Sequence, residues 1–109
     1  MRTGSNTKWG RAQHVRTLLP GVWMVETAGH GGIVLTESYN KLIPEGARRD
    51  DGCYEEDCDW AIPAACFSEI RTRFSFSETG VRQCLRAWNP EALDVLDKAG
   101  IFLKEGEAA

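Results

Sequence analysis

The sequence predicts a small α+β domain: an antiparallel sheet built from one hairpin and one further strand, packed by about three helices. Three observations carry this. Val22–Glu26 and Ile33–Thr36 are rich in strand formers and flank the glycine-rich run Thr27–Gly32. Ile70–Phe76 alternates apolar and polar residues, the period-two pattern of a half-buried strand. Apolar residues recur at helical spacing in three later stretches, beginning near residues 54, 78 and 90.

The elements follow in order. Residues 1–10 hold Gly4, Ser5, Asn6 and Gly10 among basic residues and read as a flexible basic arm, with residues 11–104 as a single domain and 105–109 as a frayed tail. Arg11–Leu19 fits either a short helix or an extended segment, and Pro20-Gly21 stops it. The hairpin comes next, with a loop of four to six residues in which glycine supplies the chain reversal. A helical turn or two over Glu37–Leu42 is capped by Thr36, before the turn residues Pro44-Glu45-Gly46. Tyr54–Phe67 is the central helix of this reading. Tyr54, Cys58, Ala61 and Ala65 form its apolar stripe, and Glu55, Glu56 and Asp59 fall opposite. Pro63 interrupts it, since an interior proline removes a hydrogen bond and clashes with the preceding turn. Either the helix kinks there, or it ends near Trp60 and a second one starts with Pro63 in its first turn. After the strand 70–76, Ser77 or Thr79 caps a helix reaching Trp88, with Val81, Cys84, Leu85 and Trp88 on one face. Asn89-Pro90-Glu91 starts a last helix that buries Leu93 and Leu96 and ends at Gly100. Ile101–Leu103 is an apolar tail suited to docking.

A chain of 109 residues, 42% hydrophobic and with four Trp, has the material for one core. No apolar run approaches the ~20 residues needed to span a bilayer. A polar N-terminus without an apolar segment points to a cytoplasmic protein with reduced cysteines. The net charge is −3, but its layout is uneven. Residues 1–20 carry Arg2, Lys8, Arg11 and Arg16 and no acid, whereas 50–59 carry Asp50, Asp51, Glu55, Glu56, Asp57 and Asp59 and no base. Such a dipolar layout steers charged partners.

Three stretches together carry a resemblance: Trp23-x-Val25-x-Thr27-Ala28-Gly29-His30-Gly31-Gly32-Ile33-x-Leu35, then Tyr54-Glu55-Glu56-Asp57-Cys58-Asp59-Trp60-Ala61, then Leu85-x-x-Trp88-x-Pro90. They resemble a small domain family of unknown function found in bacteriophages, plasmids and other mobile elements of proteobacteria. The similarity spans roughly residues 20–100 and departs from the pattern at Pro63. It implies no catalytic assignment. It implies genomic company: small acidic proteins of mobile elements act on host systems, including as anti-CRISPR or anti-restriction inhibitors.

The acidic cluster is the first candidate site. Glu55, Glu56 and Asp59 on the helix face, with Asp50 and Asp51 in the polar connector before it, would mimic nucleic-acid phosphates or engage the Arg and Lys patches that hold them. The bland alternative is a solvated face with acids favouring the helix dipole. Asp57 lies off that face and is expected half-buried beside an arginine or a backbone group. Gly29, His30, Gly31 and Gly32 form the second candidate, an anion-binding nest or a histidine base, against the plainer reading of a hairpin turn. A hydrolase or metal-dependent site using His30 with Cys53 or Asp57 is the alternative of another class. The spacing of the four cysteines matches no paired metal or redox motif, and acids beside Cys53 should blunt its thiol. No cofactor or metal is expected. Arg71, Arg73, Arg82 and Arg86 are expected to pair with acids rather than to bind nucleic acid directly. The function expected is therefore a non-enzymatic binding or inhibitory protein contacting a host protein or protein–nucleic-acid complex. An exposed Trp would mark a homodimer face.

Overall fold

The computed structural model describes residues 1–101, and the tail over Phe102–Ala109 lies outside them. Six strands and five helices occur in this part of the chain. They are β1 (Asn6–Thr7), β2 (Gly10–Arg11), β3 (His14–Leu19), β4 (Val22–Glu26), β5 (Gly31–Leu35), α1 (Glu37–Asn40), β6 (Cys53–Glu55), α2 (Ala61–Cys66), α3 (Ser68–Phe74), α4 (Glu78–Trp88) and α5 (Pro90–Lys98). The α+β class holds. The sheet is wider than expected, with the antiparallel order β3-β4-β5-β6, and β1 and β2 form a separate hairpin.

Register decides which side chains reach the core. Met24 opposes Ile33, Ile33 opposes Tyr54, and Val22 opposes Leu35. These residues share one sheet face because side chains alternate along each strand. Val22, Ile33, Leu35 and Tyr54 join Ile62, Ile70, Val81, Leu85 and Leu96 of the helices in one buried cluster. The opposite face is partly covered by the N-terminal hairpin. Val25 and Ala12 are buried there, and a Cβ on Gly32 would lie 2.8 Å from the Trp9 ring. The first ten residues, expected as a flexible basic arm, contain β1 and the start of β2, with Gly4 N–H donating to Ala12 O and Ala12 N–H to Ser5 O.

Two further expectations are corrected. The central helix over 54–67 does not form. Gly52 takes a left-handed φ of 71°, and its carbonyl accepts the Leu35 N–H at 2.9 Å, which launches Cys53–Glu55 as an edge strand on β5. The helix begins only at Ala61, with Pro63 third in it, where a missing N–H costs nothing because first-turn donors lack intrahelical acceptors. The apolar stripe nonetheless named buried residues: Tyr54 and Ala61 are fully buried and Ala65 nearly so. Of the strand expected over 70–76, residues 70–74 instead lie in helix α3, and Ser75 and Phe76 follow its end. Ile70 and Phe74 are four residues apart and serve a helix face as well as a strand face. Arg71 then fixes the helical outcome by donating to the carbonyls of Ala64 and Ala65, both at 2.8 Å, at the end of α2.

The later helices match their signals. Ser77 Oγ accepts the Gly80 N–H at 3.0 Å as the cap of α4, and Pro90 opens α5. Leu93 and Leu96 are buried, but Trp88, expected on the buried face of α4, is 65% exposed. Among the described residues no helix is long and apolar enough to cross a membrane.

Candidate functional site

The five acids expected as contacts, Glu55, Glu56 and Asp59 on a helix face and Asp50 and Asp51 in the connector before it, occupy three different settings. Asp50 and Asp51 lie in the turn before Gly52, Glu55 ends β6, and Glu56–Trp60 is a turn. The Glu55 carbonyl holds that turn by accepting the N–H groups of Asp59 at 3.0 Å and Trp60 at 2.9 Å. There is therefore no acidic helix face. Two of the acids, Asp51 and Asp59, accept hydrogen bonds on their carboxylates within the chain. Asp51 accepts Lys8 Nζ at 2.7 Å and the Cys53 N–H at 2.9 Å. Partial burial opposes ionisation of Asp51, and these bonds outweigh it, holding its carboxyl below the ordinary value. Asp50, Glu56 and Asp57 are exposed, and Glu55 is half-exposed. Asp57, expected half-buried, instead joins the outward acids.

Asp59 belongs to a network that the sequence did not reveal. Arg49 donates to both of its oxygens, from Nη2 at 3.0 Å and Nε at 3.4 Å, and the same Nη2 reaches Asn89 Oδ1 at 2.8 Å. Asn89 Nδ2 donates to Asp59 Oδ1 at 3.1 Å and to the Cys58 carbonyl at 3.3 Å. Burial again works against the charge, and the Arg49 and Asn89 bonds prevail, so the Asp59 carboxyl sits below its ordinary value. Arg49 also ties this cluster to the core: its N–H donates to Tyr54 Oη at 3.0 Å, its carbonyl accepts Asn40 Nδ2 at 2.7 Å, and Tyr54 Oη donates to Asn40 Oδ1 at 2.5 Å. Tyr54 is fully buried, and that burial pushes its phenol up to about 12. The network joins α1, the 49–52 turn, β6, the 56–60 turn and α4–α5. It is a structural lock. Asn40, Arg49 and Asn89 carry no sequence signal for it, because their partners are 5 to 40 residues away.

The glycine run divides. The loop is Thr27–His30, closed by the Thr27 N–H donating to His30 O at 2.8 Å and by Thr27 Oγ1 donating to the same carbonyl at 2.7 Å. Gly31 and Gly32 are buried ladder residues of β5, registered against Glu26 and Val25. A Cβ on Gly31 would lie 2.4 Å from Val25 O, and one on Gly32 2.2 Å from Tyr54 O. These two glycines serve close strand approach, so the four residues do not form a nest. His30 is exposed, with Nδ1 3.7 Å from Glu55 Oε1. Cys53 Sγ instead donates to the Asp51 carbonyl at 3.5 Å. His30 and Cys53 thus each meet a different partner, and Asp57 is exposed. All four thiols lie above their ordinary value, burial being the first cause in each, with Asp51 adding to it at Cys53 and Asp59 at Cys58. Thiolate chemistry is disfavoured at each of them. Among the described residues no three His, Cys, Asp or Glu side chains are grouped to hold a metal ion.

The outward acids adjoin an apolar groove that sequence reading missed. Met24, Ile33, Trp60, Phe74, Phe76 and Glu56 line a cleft of about 210 Å³ where the sheet meets the end of α3. Ser75 builds its lip. It takes the left-handed conformation at the C-cap of α3, φ 56°. The Phe76 N–H then donates back to Arg71 O at 2.9 Å, the closure of a Schellman turn. This returns Phe76 onto Trp60, ring centroids 4.4 Å apart, with Phe74 5.5 Å beyond. Glu56 stands at the rim, fixed by its N–H donating to Gly31 O at 3.0 Å. The paired arginines behave as expected where their partners are defined: Arg82 Nη1 meets Asp97 Oδ1 at 2.6 Å and Arg71 Nη2 lies 3.7 Å from Glu78 Oε1.

A family model described as "Domain of unknown function (DUF7007)" matches residues 2–108. No curated protein and no solved structure matches the chain.

Proposed function

The chain belongs to the DUF7007 family, whose description assigns no activity, and from that premise we propose that it is a non-enzymatic binding protein. In this reading it is carried by a mobile genetic element. It acts in the host cytoplasm on a nucleic-acid-handling or defence complex, as an inhibitor of the anti-CRISPR or anti-restriction kind. The observation that carries the binding reading is the continuity of outward carboxylates with an open aromatic groove through Glu56. An aromatic centre with a charged rim is the anatomy of a protein-binding hot spot. The carboxylates suit the Arg and Lys clusters with which such complexes hold phosphates. The contact surface is therefore Glu55, Glu56 and Asp57, with Asp50 nearby in sequence, carried on a strand end and two turns. Asp51 and Asp59 are held by Lys8 and Arg49 and leave the contact set.

The test is expression of the protein in cells carrying defined CRISPR or restriction systems, read by phage plating, together with binding to the purified complexes. Protection against one system and binding to its complex are expected. The variant E55K/E56K/D57K should lose both while keeping its melting curve. Unchanged plating on every system, or equal binding by the folded triple variant, would refute the proposal.

A further inference from the structure

We infer that the groove between the sheet and the end of α3 receives an arginine side chain presented by the partner protein, an inference that rests on the binding reading above. Its guanidinium pairs with Glu56, and its stem and planar face lie along Trp60 and Phe76.

Four observations specify that occupant. The cleft of about 210 Å³ is smaller than the ~300–1,000 Å³ of pockets for drug-sized ligands, and suits one long side chain. Its floor, Met24 and Ile33, is apolar, and its wall is aromatic, so the occupant needs a long apolar stem. Its polar group is a carboxylate at the rim, within a run in which Glu55 and Asp57 are also acidic. An anionic or neutral tip is therefore disfavoured and a cationic one favoured. Finally, the chain already places a guanidinium on the far end of the same aromatic row. Arg16 Cζ lies 6.0 Å from the Phe74 ring centroid, at the limit of cation–π range. The Trp60 end offers the better aromatic face together with the carboxylate. Arginine fits this better than lysine because its planar, weakly hydrated cation stacks on rings and forks onto a carboxylate.

The test uses the full chain and four capped pentapeptides, Gly-Gly-X-Gly-Gly, with X as arginine, lysine, citrulline or norleucine, followed by NMR. The arginine peptide should produce saturable shifts at the Met24 methyl, the Trp60 indole and the Phe76 ring. Binding should be about tenfold weaker or worse with citrulline, and likewise in E56Q, the loss expected for one charge-assisted contact. F76A should weaken it as well. Glu56 is exposed and Phe76 is 40% exposed, so both variants should fold, which a thermal melt checks. Equal binding of the citrulline, norleucine or lysine peptide, shifts elsewhere on the surface, no saturable shift, or unchanged affinity in E56Q would each overturn the inference. Complex binding is read separately. If it survives in the parent and is lost in E55K/E56K/D57K while the peptides fail, the groove inference alone falls. If the arginine peptide binds but no complex does, the proposed target falls and the groove stands.

Discussion

Replacing Tyr54 with Phe should cost this domain a large share of its stability, although it removes one oxygen. Tyr54 is fully buried. Its hydroxyl donates to Asn40 Oδ1 at 2.5 Å and accepts the Arg49 N–H at 3.0 Å. The substitution strands both groups. A buried polar group left without a partner costs ~1–3 kcal/mol, so the loss should be roughly 2–4 kcal/mol once the partly exposed Arg49 segment regains some water. Small domains have only ~5–15 kcal/mol in hand, and the corresponding fall in Tm is roughly 10–25 °C. Urea unfolding followed by Trp fluorescence gives the free energy, and a cycle with N40L isolates the coupling. The pH dependence supplies a second signature. The folded phenol titrates at about 12 against an unfolded value of 10.0. The unfolded state therefore sheds its proton first as pH rises. The stability held by the neutral phenol is complete below pH 10 and is lost as pH climbs through about 12. Tyr54→Phe should flatten that part of the alkaline limb. A change below ~0.5 kcal/mol, within the range of ordinary surface substitutions, with an unaltered alkaline limb, would refute the network.

The remaining predictions concern the lock and the glycines. Asp59→Asn should destabilise by about 1.5–3 kcal/mol, the range for a hydrogen bond to a charged group. Because the folded carboxyl lies below the ordinary value of 3.8, its contribution is full above that pH and fades as pH falls further. The variant should therefore lose stability at pH 7 and show a shallower acid limb in urea melts. Gly32→Ala places a Cβ 2.2 Å from Tyr54 O across the strand pair, so β5 and β6 must separate, at a cost of about 3 kcal/mol or more. Gly29→Ala meets nothing within 4 Å and should stay within ~0.5 kcal/mol of the parent by the same melts. Equal effects of the two would contradict the division of that run into loop and ladder.

Local signals were reliable where neighbours in sequence are also neighbours in space. The β4–β5 hairpin, the Ser77 cap and the Pro90 start depend on residues within a few positions of each other, and each formed. Misreadings arose where two periodicities coexist. Tyr54, Ala61 and Ala65 are spaced for one helix stripe, yet Tyr54 reaches the core from a strand and the alanines from a helix. Ile70 and Phe74 satisfy both period two and a four-residue step. Burial was therefore legible while the element that achieves it was not. The same limit governed the candidate site. Five acids could be named, but not that Lys8 lies 43 residues from Asp51 in sequence and 2.7 Å from it in space.

The sequence by itself determined the α+β class, the central hairpin, the two C-terminal helices and an acidic segment opposed to a basic start. Those follow from propensity, capping and composition, which are local properties. Only the tertiary structure decided that 53–55 is an edge strand, since an edge requires a partner to pair with, here β5. It also decided which carboxylates face outward. Arg49 and Lys8 reach Asp59 and Asp51 through folding alone, leaving Glu55, Glu56 and Asp57 beside a groove whose walls come from β4, β5, the 56–60 turn and the end of α3.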